Sequence, residues 1–400
     1  MNITEINNFK SKCTGCSACF NVCPSKSISL VRNEEGFFFP EVNEKLCSDC
    51  GECVSACQIS DVFACEKQEM GLIYAFQAKD VDLLINATSG GLFPVIAKKV
   101  LSDGGVVFGA AYNENMSVEH IGITRIEDIN KLNGSKYVQS DTCNAFNQAK
   151  IFLEMDKKVL FSGTPCQING LKAFLGKEYS NLITVDVICY GVPSETFFKK
   201  YIEIVEEKES AKVIDFKFRD KKKYGWSHTV VITFEKPNGK VYSKIYGNEY
   251  NNLWYRAWKH CDCLRESCYS CDLVSDKRVA DLTIGNFWGI DEVSQSFDSA
   301  RGVSLLTINN PALKYLIEFL EQQGVLEEQT CEMIDKYQHG LKQNKERTDK
   351  RDSFYIYLNE GYMNMINNLY PIQIKDKIML NVPIRLQKTV ISAAKKLGRL

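Results

Sequence analysis

The sequence predicts a small α+β module, then a larger mixed α/β unit, then a helical C-terminal region. Three observations lead there. Nine of the seventeen cysteines fall within the first 65 residues, where apolar runs are short and a small fold needs covalent or metal staples. From about Gly71 onward, strand-like and helix-like patterns alternate. Beyond residue 310 the remaining pattern is helical. The expected boundaries are therefore 1–68, 71–310 and 311–400.

Within the larger unit, the strand-like run LIYAFQA is followed by Ala87-Thr88-Ser89-Gly90-Gly91, which opens a helix through Lys99, and then by strand-like VVFGAAY. A helix from Cys143 to Met155 leads into a strand from Lys158 to Ser162. Next come the turn Gly163-Thr164-Pro165, a helix from Cys166, a strand from Leu182 to Cys189 and a helix after Pro193. Val230 to Tyr246 reads as two β runs around Pro237-Asn238-Gly239, a hairpin signal.

Four hundred residues allow two or three compact domains, and a formal charge of −1 argues against a nucleic-acid surface. The opening MNITEINNFKSK lacks the apolar core of a signal peptide, and no window is long and uncharged enough to span a bilayer. The expected location is the cytoplasm, where thiols stay reduced and serve metals more often than disulfides. Ile378 to Leu400 interleaves apolar residues with Arg385, Lys388, Lys395, Lys396 and Arg399. Such a tail suits an anionic membrane surface, although a helix packed on its own domain is the simpler expectation.

The cysteine spacing is informative. C-x-x-C-x-x-C-x-x-x-C-P stands at Cys13, Cys16, Cys19, Cys23 and Pro24, and the run recurs as Cys47, Cys50, Cys53 and Cys57. Two-residue gaps let three successive thiolates wrap a cubane, while the fourth cysteine of each run serves the other cluster. This predicts a bacterial-type ferredoxin module with two [4Fe–4S] clusters. One takes Cys13, Cys16, Cys19 and Cys57; the other takes Cys47, Cys50, Cys53 and Cys23. Paired zinc sites would show separated C-x-x-C pairs instead. Gln58 stands where the second run would ordinarily have proline.

A second set comprises Cys166, Cys189 and the pair Cys268 and Cys271. The first two each follow a predicted strand, so parallel neighbours would bring both to one sheet edge, where α/β proteins bind ligands. With the later C-x-x-C pair they would complete four thiolates, suited to a third [4Fe–4S] cluster. Cys261 and Cys263 lie close enough to compete for a place in that set.

The stretches SGTPCQINGLKAFL, ICYGVPSETFFKKY, FRDKKKYGW, CLRESCYSCDL and ADLTIGNFWGI follow the two-cluster module in that order. Together they resemble the coenzyme F420 hydrogenase/dehydrogenase beta-subunit family, up to about Asn309. The resemblance implies a third cluster on Cys166, Cys189, Cys268 and Cys271, beside an FAD in the larger α/β domain. It places flavin contacts at Thr88 to Gly91, hence Ser89, Gly90 and Gly91, and at Gly134 to Tyr137, hence Lys136 and Tyr137. It also implies an organic acceptor such as the deazaflavin coenzyme F420. Tyr190 replaces a histidine common among relatives, which puts any role for that side chain in doubt.

Residue chemistry adds a little. Small residues at a helix start let phosphate approach closely, and flavin converts single electrons into hydride. Trp226, His228 and Trp288 offer flat surface near such a ring, and His228 and Trp226 are the candidates for a part in the reaction. The combined expectation is an oxidoreductase taking electrons from a ferredoxin-like or other donor to a small-molecule acceptor. The alternative is a non-enzymatic electron-transfer subunit of a larger complex.

Overall fold

A computed structural model describes residues 2–60 and 67–371, with Val382 and Leu386. Cys65 and almost all of the basic segment 378–400 lie outside the described residues. A ferredoxin-like cysteine-rich module is followed by a larger mixed α/β domain, as the alternation of patterns predicts.

The module consists of short helices Ala18–Val22 and Glu52–Ser55 and the antiparallel hairpin Ile28–Arg32 with Phe38–Val42. Its own apolar core is small, built on Ile3, Phe9, Ile28 and Val54 together with cysteines.

The larger domain is organised by an eight-stranded sheet. Its centre is parallel: Val106–Tyr112, Val159–Gly163, Leu182–Val187 and Leu282–Asn286 lie side by side. Antiparallel strands flank both sides: Val118–Ile123 on one, and Ser304–Ile308, Leu72–Ala78 and Gly324–Gln329 on the other. Parallel strands buried on both faces read as continuous apolar runs, which is why VVFGAAY and LITVDV stand out in the sequence. The predicted hairpin forms as Val231–Glu235 with Val241–Ile245, and Lys212–Lys217 adds a third antiparallel strand. The stretch beyond residue 310, expected to be helical, is not so throughout: Gly324–Gln329 is the edge strand paired with Leu72–Ala78. Further on, Lys350–Glu360 and Tyr362–Leu369 pack Phe354, Leu358, Met365 and Ile366 into the core around Trp254.

Two helix starts place chemistry at the sheet edge. The helix Pro165–Leu175 begins with a capping box between Thr164 and Gln167 and with proline in its first turn, and it ends on Gly176 in the left-handed region. Cys166 is thereby fixed in the first turn. The helix Leu92–Ser102 begins at Gly91, with no side chain capping its first N–H groups.

The module docks on the parallel half of the sheet. Helix Ala18–Val22 lies against Pro165–Leu175, and Cys16 joins a core with Phe146, Phe161, Ile168 and Leu171. A Cβ on Gly170 would sit 2.8 Å from the Cys16 sulfur, so only glycine admits the cysteine loop at that distance. Buried Arg265 ties the two parts: Nε donates to the Cys13 carbonyl at 2.7 Å and Nη2 to that of Phe38 at 2.9 Å. Its guanidinium also lies 4.2 Å from the Phe39 ring centre. The Thr142 hydroxyl donates to the Cys16 carbonyl at 3.0 Å, and Arg351 grips Glu35 with two 2.7 Å bonds. Among the described residues no helix is long and apolar enough to cross a membrane.

Candidate functional site

Twelve of the cysteines named from spacing line three cavities, four to each. Cys13, Cys16, Cys19 and Cys57 line the first. Cys23, Cys47, Cys50 and Cys53 line the second. Cys166, Cys189, Cys268 and Cys271 line the third. Among the described residues no three Cys, His, Asp or Glu side chains converge as a single metal ion would need. The four thiols of each set line a shared cavity instead.

Burial dominates at eight of these thiols. It pushes Cys57 and Cys189 up to about 12 and Cys268 up to about 11, and raises Cys16, Cys19, Cys53, Cys166 and Cys271 as well. Thiolates are stable in such places only beside compensating positive charge. Cys23 is the exception: the burial cost is outweighed by the Ser27 and Ser25 hydroxyls, 3.3 and 3.6 Å from its sulfur, which hold it below the ordinary thiol range.

Cys261 and Cys263 stay out of the third set. The Cys263 side chain is buried in another core, and its carbonyl accepts from the Tyr355 hydroxyl at 2.6 Å. Arg278 lines the third cavity and pairs with Asp186 at 2.7 Å, both fully buried. Tyr190 also lines it, with the Lys345 ammonium 4.4 Å from the ring centre.

A fourth cavity of about 550 Å³ opens along the carboxyl ends of the parallel strands, where Gly163, Val187 and Gly285 meet it. That is the size and place of a cofactor or substrate pocket in an open α/β sheet. Cys166 and Cys189 line this cavity as well as the third one, and Thr14 lines both and the first.

The two stretches expected to hold a flavin come together here. The Ser135 N–H donates to the Thr88 hydroxyl at 2.7 Å. Ser89, Gly91, Lys136 and Tyr137 line the cavity. Gly90 serves a different end: a Cβ there would lie 2.1 Å from the Phe76 carbonyl oxygen and 2.6 Å from the Ser304 nitrogen. It is glycine so that the turn can lie against the sheet. The Ser89 hydroxyl is committed to the Val303 carbonyl at 2.6 Å, and its own carbonyl accepts from the Lys221 ammonium at 2.6 Å. Burial lowers Lys136 to about 8; its ammonium donates to the Asn133 and Gly134 carbonyls at 3.0 and 3.3 Å. Tyr137 packs its ring 4.7 Å from Trp258 and 5.2 Å from Phe218.

His228 lines the cavity, 3.6 Å from the Glu249 carboxylate. Trp226 stands behind Trp288, stacked at 4.7 Å, and it is Trp288 that reaches the cavity. His120 and Arg219 line it too and were not singled out from sequence. Arg219 lies in FRDKKKYGW, a stretch that carries the resemblance without marking which of its residues meets a ligand; His120 shows only as a histidine in an otherwise strand-like run.

Residues 156–333 match the family model for the C terminus of the coenzyme F420 hydrogenase/dehydrogenase beta subunit. Residues 12–60 match that of the 4Fe-4S dicluster domain. Over these two segments the chain is similar to a 4Fe-4S dicluster domain followed by the C terminus of a coenzyme F420 hydrogenase/dehydrogenase beta subunit. The family segment contains the whole third thiol set, while Thr88 to Gly91 and Gly134 to Tyr137 precede it. One subunit of the F(420)H(2) dehydrogenase of Methanosarcina mazei is 26% identical over 171 residues, 40% of this chain and 47% of that protein. An uncharacterized protein of Methanocaldococcus jannaschii is 25% identical over 197 residues, 42% of this chain and 54% of that one. The chain thus spans about half the length of the curated relatives it matches. The structure of the F420-reducing [NiFe] hydrogenase complex from Methanosarcina barkeri aligns with TM-score 0.42 at 16% identity, over 77% of this chain and 95% of that one.

Proposed function

We propose that the chain is an iron–sulfur flavoprotein oxidoreductase, in which three [4Fe–4S] clusters carry single electrons and a bound FAD exchanges them as hydride with an organic acceptor. The observation that carries this reading is that Cys166 and Cys189 line both the third thiol cavity and the large one. A cluster held by these cysteines shares a wall with whatever fills the large cavity.

The chain's own residues supply the rest. Domains 1–68 and 71–310 meet where the Cys13–Cys16 loop abuts Cys166, so the order of relay runs from the cavity of Cys47, through that of Cys13, to that of Cys166. Cys50 is exposed, which suits entry of electrons from a soluble donor at the far end. The uncapped N–H groups of Leu92–Ser102 and the Lys136 ammonium favour the phosphates of a dinucleotide. Arg278, held by Asp186, closes one wall of the third thiol cavity. The partners in this reading are the other subunits of a larger redox complex, and the acceptor is coenzyme F420 or a similar small molecule.

Anaerobic mixing with a reduced viologen dye tests the reading. The flavin absorbance should bleach in the wild type. In Cys166→Ser the ferredoxin-module clusters should still reduce while the flavin lags by about tenfold or more. Equal bleaching rates would remove the third cluster from the path.

A further inference from the structure

Arg219 lies in FRDKKKYGW, a motif the relay leaves without a task. It follows the strand Lys212–Lys217 and lines the large cavity. Its side chain is 93% buried, yet Nη1 has no hydrogen-bond partner. Only Nε is engaged, donating to the Ser227 carbonyl at 3.3 Å. The guanidinium carbon stands 5.5 and 5.4 Å from the ring centres of Trp226 and Trp288. Lys221, two residues on, is tied to the carbonyls of Ser89 and Arg301 at 2.6 and 2.9 Å, which fixes this stretch beside the turn that opens Leu92–Ser102.

A guanidinium out of water with an idle N–H is costly unless an anion completes it. Two indole faces offset only part of that cost. Trp288 and His228 line the same part of the cavity with ring planes 16° apart and centres 6.4 Å apart, an arrangement that accepts a flat ring.

We infer that Arg219 is an anion-recognition point of the large cavity, taking phosphate or another acidic oxygen group of a ligand whose flat ring lies near Trp288 and His228. This rests on the flavoprotein reading only for which ligand bears the anion: the flavin's own phosphate or an acidic group of the acceptor.

Calorimetric titration of the flavin-depleted full chain with riboflavin, FMN and FAD tests the first source. Titration of the flavin-loaded chain with anthraquinone-2-sulfonate and its neutral hydroxymethyl analogue tests the second. Arg219→Gln should weaken only the anionic members, by about tenfold or more, the loss typical of one charge-assisted hydrogen bond. FMN and FAD weakened with riboflavin unchanged assigns the flavin phosphate. Sulfonate weakened with flavins unchanged assigns the acceptor. Arg219→Lys, which keeps charge without the fork, should fall between, and it decides the matter if the glutamine variant fails to fold. Charged and neutral ligands weakened equally, or none weakened, would overturn the inference. A wild type that binds no flavin would sink the flavoprotein reading alone, because the sulfonate pair titrated into that chain still tests Arg219.

Discussion

The side-chain amide of Gln58 donates to the Cys166 carbonyl at 2.9 Å and to the Thr14 hydroxyl at 3.0 Å. Its oxygen accepts from Asn169 at 3.2 Å. Gln58 occupies the place that the first cysteine run gives to Pro24, and proline could make none of these bonds. The departure from the repeat is thus a clamp between the Cys57 turn and the start of Pro165–Leu175. Gln58→Leu should keep its iron but lose about 1–3 kcal/mol, because three polar partners lose their bonds at once. Urea unfolding under anaerobic conditions reads this, and an unchanged midpoint would dismiss the clamp.

Arg265 is 1% exposed and is the main polar tie from the larger domain to the Cys13 loop and the Phe38 strand. Arg265→Met should cost roughly 2–5 kcal/mol by leaving buried carbonyls unpaired. Limited proteolysis should then cut between the two parts. Arg265→Lys should not rescue, since one ammonium cannot span both carbonyls. Wild-type protease resistance in either variant would contradict this.

Gly170→Ala should act through Cys16. The added methyl would press on its sulfur, so iron per chain should fall by about four while the Cys47 set stays loaded. Full iron content would show that the loop can retreat at little cost.

His120 is fully buried and pushed down to about 4, chiefly by loss of hydration. Nε2–H donates to the Ser162 carbonyl at 2.9 Å, so Nδ1 accepts from the Ser140 hydroxyl at 2.6 Å. Both nitrogens are satisfied in the neutral ring, and a second proton would put a charge where water is excluded. Because the folded value lies below the unfolded one near 6.5, the unfolded chain binds the extra proton first. Stability should therefore fall as pH drops from about 6.5 towards 4, by up to about 3 kcal/mol. His120→Gln should lose that slope; parallel pH profiles of urea midpoints for the two proteins would refute it.

The legible parts of the molecule are those encoded within short stretches. The cysteine runs, the strand ends before Cys166 and Cys189, and the Pro237-Asn238-Gly239 hairpin each carry their signal in a few neighbouring residues. Gln58, Arg265 and His120 were opaque because their partners lie 108, 252 and 42 residues away. Gly90 was misleading for the same reason: a turn that looks made for phosphate is glycine because of Phe76 and Ser304. Arg219 lies in a quoted motif, but its unsatisfied Nη1 is visible only once the fold has buried it.

The most direct test is iron and flavin per chain, measured after anaerobic purification of the wild type and Cys189→Ala side by side. The proposed three clusters, with a flavin in the large cavity, predict about twelve irons and one FAD in the wild type, and about eight irons in the variant. About eight irons in both, with no flavin after reconstitution, would contradict the third site and the reductase built on it.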